Sequence, residues 1–144
     1  MLKTIDHLNV VVSDFDKAKD FFIALGFAVE HEGELEGEWV SNIVGLKNVR
    51  AYYAKLSLAN CSTKLELIKY FSPPSKENTL TSEANQLGFR HIAFEVDNID
   101  LVVSKLSEKG IEFMSPVQTY KPTNKKLVYF YGPDRILLEL AQYQ

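Results

Sequence analysis

Residues 7–27, HLNVVVSDFDKAKDFFIALGF, lie over residues 91–111, HIAFEVDNIDLVVSKLSEKGI, without a gap. His7 falls on His91, Val12 on Val96, Asp16 on Asp100 and Gly26 on Gly110. A pattern used twice at one fixed offset constrains the fold more than any local propensity, because both copies must build the same kind of unit.

Each copy opens as an alternating strand. Leu8, Val10 and Val12 share one pleat face in the first, and Ile92, Phe94 and Val96 in the second;. His7 and His91 then point to the opposite face. Asp14 and Asn98 suit N-caps, and the helices that follow place apolar residues three or four apart, at Phe15, Ala18, Phe22 and Leu25 and at Ile99, Val102, Val103 and Leu106;. Gly26 and Gly110 end them as C′ glycines. Strands follow: FAVEH, VRAYYAKLSL and KLELIKY in copy one; IEFM, KLVYFY and ILLELAQY in copy two. The expected fold is α+β, with the plan β-α-β-β-β used twice. Residues 1–144 make a single domain, with module one at 4–71, a Pro-rich linker at 72–87 and module two at 88–144.

The closing strands repeat as well, LELIKY at 65–70 against LELAQY at 138–143, so Glu66 corresponds to Glu139. The flanking leucines take the face opposite each glutamate. Apolar faces pack on helices, so each glutamate is expected to share a face with a histidine. His7, Glu66, His91 and Glu139 form a set of imidazoles and carboxylates that suits a divalent transition metal. Unpaired buried carboxylates are costly, which sets the quartet apart from a lone core histidine or a solvated strand glutamate.

Composition excludes other classes. Apolar residues make up 46% and charged residues 24% of 144, as in ordinary globular proteins;. A net charge of −3 without a block of Lys or Arg gives no nucleic-acid footprint;. No run reaches membrane-spanning or signal-peptide length, so a cytoplasmic protein with no membrane partner is expected. The single cysteine, Cys61, reads as a free thiol in the hairpin turn LANCSTK;.

The motifs IDHLNVVVSDFDKAKDFF, FRHIAFEVDNID and VYFYGPDRILLEL resemble the vicinal oxygen chelate superfamily, which comprises glyoxalases, bleomycin-resistance proteins and dioxygenases. The ligand pattern is most similar to the glyoxalase I and methylmalonyl-CoA epimerase branches. The resemblance implies that the two βαβββ modules pair into an incomplete β-barrel around a metal cleft, and that His7, Glu66, His91 and Glu139 hold a divalent ion there, with Zn, Ni, Mn, Co and Fe all suitable. It implies a lyase or isomerase acting through an enolate-type intermediate on a small carbonyl or thioester substrate, with Glu66 or Glu139 moving the proton. It also implies a homodimer, since modules of this superfamily pair within and across subunits.

The alternatives are a non-catalytic small-molecule-binding or antibiotic-resistance protein, and an extradiol-type dioxygenase. Some family positions differ here. Val11 stands where bacterial glyoxalase I has arginine, LIKY where it has LTYN, FYGPDRI where epimerases carry an HPK-like segment, and Arg135 where the hairpin usually has glycine.

Asn9 and Glu95, two and four residues beyond their histidines, are candidate substrate-binding residues. Running into the stretch 31–49, Glu30, Glu32, Glu34, Glu36 and Glu38 would throw five carboxylates to one side if extended. Trp39 and Ile43 then sit in a short helix, read either as packing on the barrel edge or as a lid that binds substrate;. Arg50, Arg90, Lys125 and Lys126 are available cations for an acidic substrate.

Overall fold

The computed structural model describes residues 2–76 and 83–144. The expected linker 72–87 falls partly on residues 77–82, outside the described residues. The chain divides into two compact units, residues 1–78 and 79–144.

The first unit runs β1 (His7–Val11), α1 (Phe15–Ala24), β2 (Ala28–Glu36), α2 (Glu38–Val44), β3 (Arg50–Ser57) and β4 (Lys64–Ser72). Its sheet has the order β1-β4-β3-β2, with β1 parallel to β4 and the other pairs antiparallel. Asp14 caps α1 by accepting the Lys17 N–H at 3.2 Å, and the chain leaves through Gly26 at φ +102°. Helix α1 buries Phe15, Ala18 and Phe22. Leu56, Leu65, Leu67 and Val12 are buried with them, and burying a side chain such as Phe22 contributes roughly 1.5–3 kcal/mol.

The second unit repeats the plan as β5 (His91–Glu95), α3 (Ile99–Glu108), β6 (Gln118–Tyr120), β7 (Lys125–Tyr131) and β8 (Leu137–Gln142), in the order β5-β8-β7-β6. Asn98 caps α3, accepting the Leu101 N–H at 3.0 Å. Ile99 and Leu106 are buried, as are Leu138, Leu140, Val128 and Phe130 of the sheet. The fold is thus mixed α+β, with two open four-stranded sheets and three α-helices among the described residues. None of those helices is long and apolar enough to cross a membrane.

Three local expectations need correction. IEFM does not form the second strand of the second unit. Only Phe113 makes an isolated bridge, to Phe130, and the strand that pairs with β7 on the side away from β8 is the exposed QTY at 118–120. Strand β2 does not stop at His31 but continues to Glu36. Nor do its glutamates share one side. A bulge between Val29 and His31 breaks the alternation, so Glu30 pairs with Lys64 at 2.6 Å while Glu32 pairs with Lys19 of α1 at 3.0 Å;. Glu38 has already turned into α2.

Cys61 is a free, exposed thiol between β3 and β4. Arg135, at φ +58°, occupies the left-handed region that glycine favours, and its guanidinium lies 4.3 Å from the centre of the Tyr131 ring;.

Candidate functional site

In the first unit the register Asn9↔Glu66 places β1 and β4 so that His7, Asn9 and Glu66 share a face;. The Nε2 of His7 lies 3.4 Å from Glu66 Oε2. Its Nδ1 lies 2.7 Å from Asp6 Oδ2. A neutral ring that donates its Nδ1–H to this carboxylate leaves Nε2 with a free lone pair, the tautomer a metal-binding histidine needs. The same hydrogen bond holds the Asp6 carboxyl below its usual range. Nε2 and Glu66 Oε2 are then two lone-pair donors facing one another, and a cation satisfies both.

The second unit repeats the pair with a tighter surround. Ala93↔Glu139 is the matching register, and His91 Nε2 is 3.1 Å from Glu139 Oε2. Glu139 is 4% exposed, the one buried charged residue among those described. Its other oxygen accepts from Lys125 Nζ at 3.2 Å. Tyr129, directly opposite Glu139 on β7, lays its ring 5.0 Å from that of His91. Burial first, and the Glu139 charge second, push the Tyr129 phenol above its usual value;. Lys125 is raised as well, by its hydrogen bonds with Tyr143 and then Glu139.

Each unit therefore sets one imidazole Nε2 against one glutamate carboxylate, and in the first unit Asp6 adds a second carboxylate at Nδ1. Among the described residues, no group of three or more His, Cys, Asp or Glu forms that would hold a metal. Trp39 and Ile43 are 58% and 74% exposed, and Asn9 and Glu95 are exposed too. Helix α2 is anchored by Val40, which packs with Val49, Ala51 and Ile68. Ile68 is two residues beyond Glu66 on β4, so α2 covers the same sheet face that carries His7 and Glu66;. Asp6 escaped the sequence reading because nothing marks a carboxylate next to a histidine as its hydrogen-bond partner. Lys125 was visible only as one cation among several, since its contact with Glu139 depends on the β7–β8 register.

The sequence pattern of the Glyoxalase/Bleomycin resistance protein/Dioxygenase superfamily matches residues 4–140. The chain belongs to that superfamily. The Bacillus subtilis protein YwkD is 35% identical over 143 residues, covering 99% of this chain and 98% of its own. Mitochondrial methylmalonyl-CoA epimerase of Mus musculus is 27% identical over 143 residues, covering 98% of this chain and 74% of the epimerase. The crystal structure of a glyoxalase family protein from Bacillus cereus matches with a TM-score of 0.91 at 30% identity, over 99% of this chain and 95% of that one. The superfamily membership expected from the repeated His and Glu strands is thereby established.

Proposed function

We propose that the protein is a metal-dependent lyase or isomerase of glyoxalase type, which shifts a proton next to the carbonyl of a small carbonyl or thioester substrate. The observation that carries this reading is the duplicated pair, His7 with Glu66 and His91 with Glu139, each imidazole Nε2 turned to a carboxylate oxygen. Two such pairs, from one chain or from two copies in a homodimer, offer a divalent ion four donors of the borderline type that Zn, Ni, Mn, Co or Fe accept. Bound there, the ion supplies Lewis acidity toward a carbonyl oxygen.

The two carboxylates are not equivalent. Glu139 is buried, with both oxygens engaged by His91 and Lys125. Glu66 has a side chain 21% exposed, and among the described residues its one ion pair is Oε2 with His7. A general base needs a free lone pair within reach of the proton it takes, and Glu66 has one. Glu66 removes and returns the substrate proton, while Glu139 holds its position. The match to an epimerase, a protein whose name states an isomerisation, supports this branch over a dioxygenase.

The test is exchange in D2O. Metal-reconstituted protein is given a methylglyoxal–glutathione hemithioacetal, acyl-CoA epimers or catechols in turn. Deuterium entering the carbon beside the carbonyl of one of the first two, and lost in Glu66→Gln, is the expected result. Oxygen-dependent ring cleavage of a catechol, or no turnover of any of them, overturns it.

A further inference from the structure

One cross-strand row of the first unit is far more polar than its counterpart in the second. The registers Asn9↔Glu66, Lys55↔Glu66 and His31↔Lys55 set Asn9, Glu66, Lys55 and His31 side by side across four neighbouring strands. Residues directly opposite one another share a face, so Glu66 is flanked by an amide, an ammonium and an imidazole. The corresponding row of the second unit reads Ala93, Glu139, Tyr129. There the glutamate is sealed in; in the first unit the row stays open, with Asn9 and His31 exposed.

The donors of this row are free to act on something else. Tyr53 OH lies 2.6 Å from His31 Nδ1. If the phenol donates to that nitrogen, the ring proton sits on Nε2, which is then a donor. Lys55 lies close enough to Asp6 and Glu30 to influence both carboxylates. Yet Asp6 is engaged by His7 and Glu30 by Lys64, which leaves Lys55 with no ion pair within 4 Å among the described residues. Opposite Tyr53 on β2 stands Gly33, and the His31 and Tyr53 rings lie against it, a Cβ there coming 3.7 Å from His31 Cε1 and 3.8 Å from Tyr53 Cε1. Beyond it, Val40 of α2 packs on Ile68 and Ala51 and bounds the open stretch.

We propose that Lys55 and His31, with Asn9 on the far side of Glu66, form a subsite for an acidic group of the substrate, a carboxylate carried near the reacting carbonyl. Charge-assisted hydrogen bonds from an ammonium and an imidazole suit a carboxylate. The cross-strand spacing of about 4.8 Å sets that carboxylate one or two strands from the Glu66 base. The subsite rests on the glyoxalase-type reading for the reaction it would serve, but not for the binding itself.

Binding of succinate and of its monomethyl ester, measured by calorimetry on zinc-reconstituted and on chelator-treated protein, tests it. The wild type should prefer succinate by about tenfold, a difference of roughly 1.4 kcal/mol. Lys55→Met should bring the ratio to near one, Lys55→Arg should keep most of it, and His31→Phe should lower it in part. A Lys55→Met ratio equal to that of the wild type overturns the subsite, as does failure of the wild type to bind succinate at millimolar concentration. Zinc content measured on the same samples keeps the two claims apart. A wild type that holds no zinc yet prefers succinate in a Lys55-dependent way sinks the metal reading and leaves the subsite standing.

Discussion

Glu139 is clamped from both sides, its Oε2 3.1 Å from His91 Nε2 and its Oε1 3.2 Å from Lys125 Nζ, whereas among the described residues the equivalent Glu66 has only His7 as an ion-pair partner, at 3.4 Å. Losing hydrogen bonds to a buried charged group costs about 1.5–3 kcal/mol. Glu139→Ala should therefore lower the stability of metal-free protein by that much in urea denaturation. Glu66→Ala, at the more open position, should cost under about 1 kcal/mol. Equal losses would contradict the asymmetry on which the choice of base rests.

Asn98 accepts the Leu101 N–H at the start of α3. Replacing an N-cap of this type with alanine typically costs about 1 kcal/mol. Thermal unfolding of Asn98→Ala should show that loss, while Asn98→Asp should be near neutral. No change on truncation to alanine would mean that the cap does not hold α3 in solution.

Asp14 is kept below its ordinary carboxyl value first by the Lys17 ammonium and then by the Lys17 backbone N–H that it caps;. The sign follows from linkage. A depressed folded-state pKa gives stability that is present above the unfolded value and is lost as pH falls through the folded one. Asp14→Asn keeps the cap without the charge, so the stability difference between wild type and variant should narrow as pH falls below roughly 4. A difference that stays constant down to acid unfolding would contradict this.

Gly132 precedes the turn into β8, and a Cβ added there would come within 2.9 Å of Leu138 Cδ1 and 3.0 Å of Ile136 Cγ1. Its φ of −92° is open to any residue, so the constraint is space and not backbone strain. Overpacking of this kind costs about 1–3 kcal/mol. Gly132→Ala should be destabilised by that much in chemical denaturation, and a wild-type midpoint would show that Leu138 gives way freely.

The duplicated strand–helix segments were legible because burial imposes period 2 on strands and period 3.6 on helices, and both copies kept Gly26 and Gly110 at positive φ. The His and Glu pairs followed from parity alone, since facing apart from Leu65 and Leu67 brings Glu66 to the side of His7. The strand QTY was missed because all three of its residues are exposed and carry no apolar alternation. The length of β2 was hidden by its glutamates, which disfavour strands but are held here by Lys19 and Lys64 from elsewhere in the first unit. The second contacts of the site, Asp6 on His7 and Lys125 on Glu139, depend on rotamer and cross-strand register, which residue identity does not carry.

Metal content tests the central claim most directly. Chelator-cleaned protein, reconstituted with a divalent ion and freed of excess, should retain that ion stoichiometrically when read by plasma emission, as the proposed donors His7, Glu66, His91 and Glu139 require. His91→Ala and His7→Ala should each abolish it while keeping the far-ultraviolet circular dichroism of the wild type. A wild type that retains no stoichiometric ion, or alanine variants that retain it in full, would contradict the account.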